Sequence, residues 1–182
     1  YYDSKNYREY DIFNDFERDR VFTENNLQNF NFKFRKLYEY SLKNEIGKLP
    51  EIIQLYSNFK KRRNLSNKQF AELIVSSIQY IPYVLICQED CNICKIRTNY
   101  VGDCLGNILF GFQSPVEFMS NFKGDCDTKV LLCFYILKKF GYDVAILISE
   151  RFEHAVLGIN LNVGGSDYVY HRGVKYYAWE TT

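Results

Sequence analysis

Gly141 divides this sequence into two kinds of pattern. Upstream, apolar residues recur at spacings of three and four, as on one face of a helix. Downstream, the chain breaks into short β-rich runs punctuated by glycine. Asp143-Val144-Ala145-Ile146-Leu147-Ile148 reads as one strand and residues 155–161 as a second, with a turn at Gly164-Gly165. Tyr168-Val169-Tyr170 and residues 174–181 flank Arg172-Gly173, which predicts a hairpin. Helices first and antiparallel strands afterwards give an α+β domain, with helices packed on one face of the sheet.

The helical part has its own punctuation. Leu27, Phe30, Phe34, Leu37, Tyr38 and Leu42 share a face from Asn25 to about Gly47, a plausible stop. Pro50 suits the first position of a second helix, through Ile52, Ile53, Leu55, Tyr56 and Phe59. Ser66-Asn67-Lys68-Gln69 reads as a capping box opening a third, with Phe70, Leu73, Ile74 and Ile78 on one face, ending before Ile81-Pro82. Ser114-Pro115-Val116-Glu117 is a second box, predicting a short helix to about Ser120. Residues 1–22 read as a polar arm and residues 84–104 as irregular structure. The expected organisation is an arm and helical extension over 1–66, then a domain over 67–182 with a cysteine-rich insertion at 84–104.

Composition excludes some partners. A net charge of +1 over 182 residues argues against broad phosphate contact, so no nucleic-acid partner is expected. Lys60-Lys61-Arg62-Arg63 falls at a helix end, where cations complement the dipole. No run of 18 apolar residues exists to span a membrane. The aromatic share is high, with 16 Tyr and 15 Phe, and implies a dense aromatic core or a tyrosine-lined cleft. The opening at Tyr1 and the stop at Thr182 read as cut ends, and leave the compartment open.

The chemistry centres on Gly124-Asp125-Cys126-Asp127, which leads into the apolar-periodic run from Thr128 to Phe140. Cys126 falls in the first turn of that helix. Orphan N–H groups and the positive dipole end favour a thiolate there, and the thiolate is the nucleophile. Gly102-Asp103-Cys104 repeats the tripeptide, but Leu105-Gly106-Asn107 follows without helical periodicity, so Cys104 is rejected as nucleophile. Cys133 reads as a buried small hydrophobe.

His154, opening an apolar strand, is the candidate base; the other histidine, His171, sits at a hairpin turn. Glu180, in an otherwise apolar and aromatic strand, is the candidate orienting carboxylate. Its rival, Asp167, lies beside a glycine turn. Gln79 is a candidate oxyanion donor through its side-chain amide. Cysteine, histidine and carboxylate in this order can attack an amide through an acyl-enzyme.

Five segments in order carry a family resemblance: Gln79-x-Ile81-Pro82-Tyr83, Gly124-Asp125-Cys126-Asp127-x-Lys129, Phe140-Gly141-Tyr142, His154-Ala155-Val156, and Tyr176-Tyr177-x-x-Glu180-Thr181-Thr182. Over residues 67–182 the chain resembles bacterial transglutaminase-like cysteine peptidase domains. The resemblance implies a papain-like core in which the cysteine helix packs on an antiparallel sheet. It implies Cys126 as nucleophile, His154 as base and Glu180 as orienting acid, with Gln79 carried over less directly. Many relatives carry aspartate where this chain carries Glu180.

Cys87, Cys91, Cys94 and Cys104 leave three readings open: two disulfides, a structural zinc site, or unlinked thiols. Outside that zinc alternative no cofactor is expected. The zinc layout is similar to that upstream of the catalytic cysteine in peptide N-glycanases, another transglutaminase-fold group, though their paired CxxC spacing is absent. The expected function is a thiol-dependent amide hydrolase or acyltransferase acting on a protein or peptide. The alternatives are a silent transglutaminase-like binding module and a peptide N-glycanase-like amidase. Abundant Asn, Lys and Tyr fit an exported bacterial domain.

Overall fold

The computed structural model describes residues 30–45, 47–149, 151–162 and 166–182. The expected arm, the start of the helix from Asn25 and the Gly164-Gly165 turn lie outside the described residues. In chain order the described elements are α1 (Phe30–Asn44), α2 (Pro50–Arg63), α3 (Asn67–Gln79), β1 (Leu85–Ile86), α4 (Cys91–Thr98), β2 (Cys104–Leu105), a 3-10 turn (Leu109–Gly111), α5 (Pro115–Asn121), α6 (Cys126–Lys139), β3 (Val144–Ser149), β4 (His154–Ile159), β5 (Tyr168–His171) and β6 (Val174–Trp179). The chain is mixed α+β, as the change of pattern at Gly141 predicts. No helix among the described residues is long and apolar enough to cross a membrane.

Contacts group these elements into two units, each built from two stretches of chain. One takes the described residues up to Lys48 together with Tyr83–Asp125; the other takes Leu49–Pro82 and Cys126–Thr182. Helix α2, read in the sequence as extension, therefore belongs to the same unit as α3 and the sheet.

In the first unit, β1 and β2 pair in parallel and Tyr83 bridges Gly124. Residues 84–104 are more ordered than their composition predicts, because α4 forms within them. Asp90 caps it by accepting from the Asn92 N–H at 2.8 Å, and Asn99 ends it at φ 54°. Its periodicity misleads because Ile93 and Ile96 point to solvent, at 57% and 80% exposure, while the helix is held through its cysteines. The expected box at Ser114 forms, with Glu117 reciprocating. Glu45 is fully buried, and its Oε2 accepts the Val116 N–H at 3.1 Å.

The second unit holds the sheet, ordered β3-β4-β6-β5 with every neighbour antiparallel. β5 and β6 form the hairpin expected around Arg172-Gly173. Helix α6 packs on β3, β4 and α3. It is buried nearly all round, from Cys126 through Val130, Leu131 and Cys133 to Leu137, which marks it as the central helix of this unit. Helix α3 begins at the capping box expected at Ser66. Its Phe70 sits edge-on to Phe140 at 4.8 Å and near Tyr56 at 6.4 Å. This part of the aromatic excess is therefore core. Lys61, Arg62 and Arg63 are exposed in the last turn of α2, as a dipole-complementing cluster should be.

Candidate active site

Cys126 is the first residue of α6, with Asp127 in the same turn. The helix hydrophobicity that buries α6 therefore also sets where this thiol lies. It is buried at 7% exposure, and with Cys133 it is one of two cysteines outside disulfides. Cys133 is fully buried seven residues on, and burial pushes its thiol pKa upward. That is the inert small hydrophobe expected from the sequence.

His154 opens β4, directly after Glu153 at φ 46°. Leu157 pairs with Trp179 across β4 and β6. One step further along this register sets Glu180 against Val156, so His154 and Glu180 are diagonal neighbours on one face of the sheet. Their side chains meet there, with Nε2 of His154 2.9 Å from Oε2 of Glu180. The contact uses one ring nitrogen and leaves Nδ1 for other chemistry.

Glu180 is held from several sides. Its Oε1 accepts from the Thr181 N–H at 2.9 Å, the Thr182 N–H at 3.1 Å and Thr182 Oγ1 at 2.8 Å. Partial burial pushes its pKa up, but the bonds from His154, Thr182 and the two backbone N–H groups outweigh this and hold it below the usual carboxylate value. Thr181 and Thr182 appear in the sequence only as neighbours of the acid. Their role follows from the chain curling back on the carboxylate after β6.

Gln79, the last residue of α3, lies at the same place. Its Nε2 donates to the Glu180 carbonyl oxygen at 2.8 Å. In this structure the amide expected as an oxyanion donor thus clips the end of α3 to the chain leaving β6. Four residues of α3 (Glu72, Val75, Ser76 and Gln79), the last two of β6 (Ala178 and Trp179) and Glu180 just after it line a groove of about 320 Å³. The only aromatic residue in its lining is Trp179, not a tyrosine.

Lys129, named in the sequence only within a motif, is buried at 1% exposure. Its Nζ donates to the Gln79 carbonyl at 3.3 Å. Burial lowers its pKa, opposed by Cys133 and Glu180. The described contacts thus join Lys129, Gln79, Glu180 and His154 in one chain, and Cys126 is placed by the helix that carries Lys129.

The rejected candidates lie elsewhere. His171 is exposed at the hairpin, and the Asp167 side chain accepts from Ser166 Oγ at 3.4 Å. Cys104 is bonded to Cys91, and Cys87 to Cys94. Of the three readings of Cys87, Cys91, Cys94 and Cys104, the structure carries the two disulfides, and the pairs lie together, with Cys104 Sγ 3.7 Å from Cys87 Sγ. Gly106 is fixed by this packing: a Cβ there would lie 2.8 Å from the Cys91 nitrogen. Comparison of the chain with protein-family models, curated proteins and solved structures finds no match.

Proposed function

We propose that this chain is a thiol-dependent amide hydrolase or acyltransferase acting on a protein or peptide, built on a transglutaminase-like, papain-like core. The observation that carries this reading is the His154–Glu180 pair at 2.9 Å, at the start of a strand on which the Cys126 helix packs. In this mechanism the Cys126 thiolate attacks the amide carbon and forms a C–S bond, while the carbonyl electrons move to oxygen. Collapse expels the amine, which takes its proton from the His154 imidazolium. His154 then deprotonates water or an amine, which attacks the thioester and releases the acyl group. Glu180 orients the imidazole and stabilises its charged form. Water as acceptor gives hydrolysis; an amine gives transamidation. The two disulfides fit an oxidising, exported setting.

The burial of Cys126 favours one second reading, a recognition module that keeps the fold without turnover. Brief iodoacetamide labelling of the native protein across pH, mapped by peptide mass, separates the two. An activated nucleophile labels at Cys126 well below the pKa of a free thiol, about 8.5. Labelling of Cys126 only near that pH, or not at all, supports the recognition module. Cys126→Ala should also abolish any amidase activity found, and an unchanged activity would exclude Cys126 as nucleophile.

A further inference from the structure

Among the described residues Lys129 is the one buried cation, and the mechanism above leaves it without a task. A buried ammonium is unfavourable unless paired, by several kcal/mol. Among the described residues no carboxylate forms an ion pair with Lys129. Its Nζ donates instead to the Gln79 carbonyl at 3.3 Å. Lys129 lies three residues after Cys126 on α6, so the two side chains share a helix face one turn apart. Gln79 in turn holds the backbone of Glu180, whose carboxylate holds His154.

The charges in this region can be counted. A Cys126 thiolate and the Glu180 carboxylate are two anions, and the His154 imidazolium is one cation. The carboxyl groups of Asp125, buried at 6% exposure, and Asp127 flank Cys126 and oppose its thiolate, and Lys129 is the buried cation on this helix that can offset them. Of the elements packed on α6, β3 carries no ionisable group and β4 only His154; on α6 itself Cys133 is a neutral thiol, and Lys138 and Lys139 lie in the last turn. On α3, Lys68 and Glu72 are half-exposed.

Resting on the thiol reading above, we propose that Lys129 is a positioning residue: it supplies the buried positive charge that balances the Cys126 thiolate, and through Gln79 it fixes the His154–Glu180 pair. A unit charge one helical turn away in a buried site shifts a thiol by on the order of one pH unit or more.

The test is the pH dependence of Cys126 alkylation by iodoacetamide in the intact, disulfide-bonded chain, wild type against Lys129→Met. The expected result is a reactive wild type whose midpoint moves up by about one unit or more in the variant, with a rate at pH 6 lowered roughly tenfold and a similar rate at pH 10. An unchanged midpoint in a folded variant, or an equal loss at every pH, overturns the proposal. A wild type that titrates like a free thiol instead fails the thiol reading itself, and this inference with it. A second measurement needs no variant. Carbamidomethylation of Cys126 removes the thiolate, so the Lys129 side-chain titration followed by NMR should move down by the same amount. No movement overturns the proposal even if Lys129→Met does not fold.

Discussion

Nε2 of His154 and Oε2 of Glu180 meet at 2.9 Å, diagonally across neighbouring antiparallel strands. The imidazole is 34% exposed and the carboxylate 48%, so the pair contributes little to stability and much to orientation. Glu180→Gln keeps the size of the side chain and removes its charge. The expected outcome is a Cys126 alkylation rate at pH 6 lowered at least tenfold, and any amide turnover lowered roughly a hundredfold or more. Stability should change by less than about 1 kcal/mol, as read from thermal unfolding.

The same carboxylate sets an acid limit. Its folded pKa lies below the ordinary value, so its contribution to stability is present above the unfolded carboxylate range. That contribution fades as pH falls through the lowered folded value. Urea midpoints of wild type and Glu180→Gln should differ most near pH 6 and converge towards pH 3. A gap that widens on acidification would contradict this.

Glu45 behaves in the opposite sense. Burial raises its pKa from 4.5 to about 7, against the bonds it takes from Ser114 and Val116. Its stabilising contribution is therefore complete below pH 4.5 and is lost as pH rises through about 7. Glu45→Gln keeps an acceptor for Val116 and removes the ionisation. Thermal scans should find the variant close to wild type at pH 5 and more stable at pH 8, by an amount on the order of 3 kcal/mol at most.

The cap at Ser66 reaches the site through α3. Its side chain accepts the Gln69 N–H at 3.3 Å, and Gln69 Oε1 takes the Ser66 N–H at 3.0 Å. Ser66→Ala should lower stability by about 1 kcal/mol. The cap lies at the opposite end of α3 from Gln79, so Cys126 alkylation should keep its wild-type pH profile.

The disulfides give a redox prediction. Cys91–Cys104 joins the start of α4 to β2, and Cys87–Cys94 ties the same helix to the residue after β1. Reduction should lower stability by about 2–4 kcal/mol per bridge removed. Hydrogen exchange should quicken first across α4, whose outward Ile93 and Ile96 give it little apolar packing of its own.

What the sequence made legible was whatever depends on local chemistry. Both capping boxes, the helix from Cys126 and the strands after Gly141 follow from residues close in the chain, and they form. Glu180 could be chosen over Asp167 because a lone acid in an aromatic strand needs a partner, and His154 is that partner. Helix α4 was missed because disulfides rather than an apolar stripe hold it. The direction of the Gln79 amide and the burial of Lys129 were missed because both depend on where the end of α3 meets β6 and α6. Those contacts span 101 and 50 residues, and no periodicity encodes them.

The pairing of Tyr83 with Gly124 has a practical corollary for dissecting the chain. The stretch Tyr83–Asp125 leaves the unit that carries the sheet and returns to it, and its two ends run side by side, with the Val84 N–H bonded to the Gly124 carbonyl at 3.1 Å. It forms a cassette that groups with the described residues up to Lys48. Cutting at residue 66 would strip α2 from its own unit. Excising the cassette and joining residue 82 to residue 126 through a short linker instead leaves Cys126, Lys129, His154, Glu180 and Gln79 on one continuous scaffold.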